Sequence, residues 1–177
     1  MRDANGQQRA DSPMKGGVVI FAAGNENKEF SAYPACYPPA VSVASMAWDF
    51  TKASYSNYAK WVTITAPGGD QDRFGNEAGV LSTVPKSKAS SGYAYMQGTS
   101  MACPHVSGIA ALIASYFGKQ GFTNEELKSR LTTAYRPYNI DEQNPGYKGK
   151  LGRGYIDAEA AFESNPKTAP EKVPSLS

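Results

Sequence analysis

The run Gly98-Thr99-Ser100-Met101-Ala102-Cys103-Pro104-His105-Val106-Ser107-Gly108, continuing into an apolar stretch over 109–117, constrains this chain more than any other feature. Val106, Ile109, Ala110, Ile113 and Phe117 recur at helical spacing, while Gly108, Ala111 and Ala114 thin the other side, so the stretch predicts a long helix. A helix that is apolar nearly all round is a buried one, which puts it in the middle of a domain. Pro104 suits the first helical turn, where the amide that proline lacks has no intrahelical acceptor. Ser100 is then presented at the helix head, where free backbone amides and the positive dipole end favour developing negative charge.

The rest of the chain reads as one domain around that helix. Its 177 residues suffice for a real core. A net charge of +2 is too small to mark nucleic acid or an anionic membrane as a partner. No apolar run reaches the length that spans a bilayer, and the N-terminus has no signal-peptide pattern. Cys36 and Cys103 make no disulfide framework, and free thiols or a pair both stay open. The chain has a single histidine, His105.

Residues 1–16 are polar and aperiodic, an irregular lead-in. The continuous apolar run 17–23 is the pattern of a strand buried on both faces of a parallel sheet, closed by Gly24 and Asn25. Loop 26–40 is rich in aromatics and prolines; 40–45 reads as a second core strand, and 60–68 as a β-rich run closed by breakers. Trp48, Tyr55 and Tyr58 fall in the link between them. The segment 70–77 begins Asp-x-Asp with glycine sixth, but Phe74 offers no oxygen at the fifth position and Leu81 replaces the glutamate expected at the twelfth. It is therefore read as a solvated acidic loop rather than a calcium loop.

Residues 80–84 and 93–96 form a hairpin leading to Gly98. Gly118 and Gly121 end the long helix. Thr123 and Glu126 then make a capping box for a second helix with Leu127, Leu131 and Ala134 on one stripe. Residues 138–151 are polar and glycine-rich, and 166–177 read as a flexible tail or linker.

The string GTSMACPHVSG resembles the nucleophile motif of the subtilisin-like serine proteases, the subtilases. That resemblance implies that Ser100 is the acylating nucleophile and His105 a structural helix residue. It implies that Ala22-Ala23-Gly24-Asn25 closes a core strand, with the Asn25 amide and the Ser100 backbone amide as oxyanion donors. Tyr33-Pro34 resembles a turn beneath the primary specificity pocket, with a cis bond. Ala22, Ala23 and Gly24 would wall that pocket, and Gly98 and Thr99 would lie on the substrate side of the nucleophile. On the residues alone, Asn25 could equally be a turn residue and 26–40 a plain surface loop. Residues 152–158 resemble the segment that leads into the last subtilase helix, here about 158–163.

The resemblance covers 17–162 but not a whole catalytic domain. A subtilase works through a Ser-His-Asp triad, with Asp and His upstream on D-[ST]-G and H-G-T-H motifs. Asp11-Ser12-Pro13 is the nearest approach to the first and lacks the glycine; the second cannot occur, because the one histidine is His105. On a helix His105 is displaced from Ser100 by roughly 7.5 Å and about 140°, beyond the reach of a general base. It is read as a core or supporting residue.

The expectation is thus an α/β fold, a mainly parallel sheet with helices on both faces, subtilisin-like and lacking its first strands. Residues 17–165 would form the C-terminal portion of a subtilase catalytic domain. The function implied is serine endopeptidase, acting as part of a longer protein and inactive alone; the alternative is a non-catalytic binding domain on the same frame. Implied partners are a peptide or protein substrate, the missing N-terminal part, and a second copy meeting the exposed sheet edge. No cofactor is needed for the chemistry, structural calcium stays unassigned, and secretion or a periplasmic or cell-surface location is a family expectation.

Overall fold

A computed structural model describes residues 4–136 and 139–162. Its strands are β1 (Ile20–Ala22), β2 (Val41–Met46), β3 (Ile64–Pro67), β4 (Val80–Thr83), β5 (Tyr93–Met96), β6 (Tyr135–Arg136) and β7 (Tyr155–Ile156). Five form one sheet in the order β1-β2-β3-β7-β6. The pairings β1–β2, β2–β3 and β3–β7 are parallel, with Ile20 beside Val41 and Val43 beside Ile64, and β6 runs antiparallel to β7. The expected hairpin is β4–β5, with Val80 opposite Met96 and Thr83 opposite Tyr93.

The long helix, α2 (Thr99–Phe117), lies across β1, β2 and β3. Its buried stripe is Ala102, Val106, Ala110 and Ile113, which share a core with Val41, Val43, Ile64 and Ala66. Val106 and Ile113 are fully buried, each stabilising the fold by about 1.5–3 kcal/mol at most. Helix α3 (Asn124–Thr133) closes the same layer. Its capping box is present, Thr123 Oγ1 accepting from Glu126 N and Glu126 accepting from Thr123 N, and Leu127 and Leu131 are buried. The sheet's other face is covered less regularly, by the loops around Phe50, Tyr58 and Val62, by the four-residue helix α4 (Ile140–Gln143) and by a 3₁₀ turn at Pro145–Tyr147.

The structure corrects several expectations. The first strand is only three residues long and partly buried, with Val19 before it 55% exposed, because β1 is an edge strand with a neighbour on one side only. Helix α2 is not buried all round: Leu112 and Tyr116 are 51% and 73% exposed, since only one of its faces meets the sheet. It is long and apolar enough to cross a membrane by length and composition, contrary to the sequence expectation, but its buried stripe packs on the sheet like that of a core helix. Pro104 stands in the sixth helical position, not the first turn.

The 70–77 segment is exposed over 72–77 as expected, but it is not an irregular loop. It folds into the short helix α1 (Gln71–Phe74) and a 3₁₀ turn, with Asp70 fully buried as the helix cap. The 138–151 stretch contains α4, and of the last helix expected at about 158–163 the described residues show a 3₁₀ turn at Ala160–Phe162. Met14 in the lead-in is buried, and Lys15 bridges to Thr123. Residues 137–138 and the expected tail at 166–177 lie outside the described residues.

Candidate active site

Three chain segments meet at the head of α2. Gly98 precedes the helix with φ +147°, a conformation that only glycine adopts without strain. Its amide donates to Gly68 O at 3.0 Å, at the end of β3, and to Tyr55 Oη at 2.9 Å. Gly68 can carry no side chain, because a Cβ there would collide with Ser45 Oγ and lie 2.6 Å from Gly98 O. Tyr55 Oη also pairs with Ser45 Oγ at 2.8 Å and Gly69 O at 2.6 Å. Burial pushes the Tyr55 phenol above its usual range, outweighing the hydrogen bonds from Ser45 and Gly98 that work the other way.

The third segment is the turn after β1. Asn25 Oδ1 accepts from Thr99 N at 2.9 Å and from Thr99 Oγ1 at 2.8 Å, and Thr99 Oγ1 in turn accepts from Gly24 N at 3.2 Å. Since both donors bind the amide oxygen, the nitrogen is turned the other way. A Cβ placed on Gly98 would lie 3.6 Å from Asn25 Nδ2 and 3.6 Å from Ser100 N. Two N–H donors therefore border one small space over Gly98, beside the exposed Ser100.

Asn57, fully buried, anchors the turn that carries Asn25. Its Nδ2 donates to Ala23 O and Glu26 Oε2, its Oδ1 accepts from Glu26 N and Lys28 N, and its own amide donates to Gly24 O. Lys52 adds a second anchor. Its Nζ donates to Asn27 Oδ1 at 2.9 Å, Ala53 O at 2.8 Å and Ser56 O at 3.1 Å, beneath the Tyr147 ring. Burial, and then the nearby Arg73 charge, bring its ammonium down to about 8, with Asp70 opposing. The sequence assigns no role to Lys52 or Asn57 and places Tyr55 only in a linking region. The one local signal that could mark a polar anchor there is the dense Ser-Tyr-Ser-Asn run at 54–57.

Ser100 opens onto a cavity of about 350 Å³ shared with Val80, Leu81, Ser82, Met101 and His105. His105 is exposed rather than a core residue, because it lies on the face of α2 away from the sheet. Its Nδ1 donates to Met101 O at 2.8 Å, within its own helix. Among the described residues Ser100 has no hydrogen-bonded base.

The expected pocket wall is gathered only in part. Gly24 joins the Thr99 pair and Ala22 is half-buried, but Ala23 is fully buried with its carbonyl taken by Asn57, so it presents no surface. Tyr33, 78% exposed, and Pro34 lie in a loop whose Tyr33–Pro34 peptide is cis. Cys36 and Cys103 are free thiols. Asp70 is fully engaged by Ser54 N and Oγ and by Arg73 Nε, and no three His, Cys, Asp or Glu side chains converge among the described residues.

Residues 3–154 match the model of the subtilase family, peptidase S8. A thermophilic serine proteinase from Bacillus sp. strain AK1 is 40% identical over 117 residues, covering 66% of this chain and 25% of that protein. The extracellular basic protease of Dichelobacter nodosus is 34% identical over 169 residues, covering 90% and 25%. A solved protease from Pseudoalteromonas arctica superposes with a TM-score of 0.66 at 39% identity, over 81% of this chain and 41% of that one. The chain belongs to the subtilase family. It spans about a quarter of the length of these two curated relatives.

Proposed function

We propose that this chain is the nucleophile-bearing portion of a serine endopeptidase. The observation that carries the reading is the Asn25–Thr99 pairing, which turns Asn25 Nδ2 toward the space that Ser100 N also borders. Ser100 Oγ attacks the peptide carbonyl, and the two N–H groups receive the oxygen as it gains charge, in a site prearranged for it. The proton from Ser100 passes to a histidine carried outside these residues and oriented by a carboxylate, so the chain alone is inactive. Ala22, Gly24 and Gly98 border the substrate, Thr99 is buried and acts by holding Asn25, and Tyr33-Pro34 supports the pocket for the acyl-side residue. The Dichelobacter relative is by name extracellular, and we extend that location to this protein. Its substrates are peptides or proteins.

A fluorophosphonate probe tests this. The natural full-length protein should label at Ser100 and lose labelling in S100A, while the 177-residue chain labels negligibly. A full-length protein that stays unlabelled would favour a binding domain on a protease frame.

A further inference from the structure

A second cavity adjoins the Ser100 site. It also measures about 350 Å³, and Val80 lines both. Its other walls come from the carboxyl ends of β2 and β3 and from the link before β4: Met46, Trp48, Phe50, Pro67 and Ala78. No charged residue lines it. Gly69 and Gly79 meet backbone to backbone at its base, where a Cβ on Gly69 would lie 2.8 Å from Gly79 Cα. That contact brings the α1 segment back to the start of β4, where Val80 lines both cavities.

The aromatic wall is held in place yet open to solvent. Trp48 is 53% exposed, and its ring meets that of Phe74 edge-on at 5.4 Å. Arg73 caps Phe74 at 4.9 Å while its Nε is fixed by the buried Asp70. The fold thus maintains an uncovered indole against an uncharged, mostly apolar hollow, one shared residue away from the serine. A volume near the lower end of ligand sites, about 300 Å³, suits one large side chain rather than a whole small molecule.

The geometry points to a subsite in which Trp48, Phe50 and Val80 hold an aromatic or large aliphatic side chain of the peptide cleaved at Ser100. The inference rests on the endopeptidase reading and adds a substrate class to it. None of the lining comes from β1 or from Ala22–Gly24, which serve the acyl side, so the side chain belongs to the leaving-group half of the peptide. An aromatic ring there meets Trp48 with offset or edge geometry and sheds water from both faces. A carboxylate or ammonium would be desolvated with no partner and is rejected.

The test uses the full-length protease and quenched fluorescent peptides that differ at one leaving-side residue (Phe, Leu, Ala or Asp), set first or second after the scissile bond. The wild type should favour Phe over Ala in kcat/KM by about tenfold at one of these positions and Asp least. W48A should bring Phe and Ala within about twofold of each other, and W48F should restore most of the preference. A78L, which narrows the hollow at a second lining residue, should lower the Phe preference too. A flat wild-type profile, or a preference that survives both W48A and A78L, overturns the subsite and leaves the endopeptidase reading standing. Absence of any peptide hydrolysis overturns both.

Discussion

Asn25 gives its side-chain oxygen to Thr99 twice, at 2.9 Å to the amide and 2.8 Å to the hydroxyl. An amide side chain held by both donors on one end has a single orientation left for the other, and that end faces the space over Gly98. Replacing Asn25 by alanine in the full-length protein should lower kcat by about 100- to 1000-fold with little change in KM, the range known for an oxyanion donor of subtilisin itself. T99V, which keeps the backbone donor and loses the hydroxyl, should lower kcat by about tenfold. Steady-state kinetics on the two variants check the pair, and an N25A enzyme as fast as wild type would remove Asn25 from the chemistry.

Gly98 carries the same space on its open side. In G98A the new methyl lies 3.6 Å from both N–H donors and on a backbone at φ +147°. Strain should cost about 1–2 kcal/mol of stability, read by urea unfolding. Affinity for a peptide aldehyde that becomes tetrahedral on Ser100 should fall more than affinity for the uncleaved peptide. Equal losses would mean that the methyl acts on the fold alone.

Asp70 ties α1 to the loop before it. Burial works to raise its carboxyl, but the Ser54 amide, Arg73 and the Ser54 hydroxyl together hold it below the ordinary carboxylate value. A carboxyl lowered in the folded state stabilises at pH above its unfolded value, near 4, and that contribution fades as pH falls through the lower folded value. D70N should therefore cost about 2 kcal/mol near neutrality. The gap between variant and wild type should close as the pH drops below about 4. Urea melts of the 177-residue chain across this range give the measurement; a gap that is constant with pH would assign the loss to packing.

The open edge of β1 and the outer face of α2 leave Val19, Leu112 and Tyr116 in water. An unpaired strand edge beside apolar side chains is a site for association. The chain by itself should sediment as a dimer or larger species at micromolar concentration, and L112K/Y116K should shift it toward monomer. A clean monomer of the unmodified chain would place no partner on that surface.

Much of this fold is written in local patterns. The small-residue rhythm of 106–117 and the capping box at Thr123 and Glu126 locate the two main helices, because each is decided within a few turns of chain. The serine motif and Ala22–Asn25 mark the two halves of the candidate site. What does not show in the sequence is what depends on neighbours. Strand β7 at Tyr155–Ile156 exists only because β3 offers it an edge, and its two residues have no period of their own. The burial of Asp70 depends on Ser54, which is 16 positions away. Asn57 and Lys52 serve the site through carbonyls spread over several loops, so no spacing announces them. The sequence reads His105 as a core or supporting residue because it lies beyond general-base reach of Ser100; it is exposed because it sits on the side of the helix that the sheet does not cover.

Pro104 has one more effect. Lacking an N–H, it gives Ser100 O no helical donor four residues on. The first turn of α2 is consequently fastened as much by its surroundings as by its own ladder: Gly98 to Tyr55 and Gly68, Thr99 to Asn25. On gentle heating, these outside moorings can slip while the remainder of the helix keeps its amide protons from exchanging. Potency would then decay well ahead of the bulk melting transition, and ageing of such a preparation would show in its active-site titre long before its circular dichroism changed.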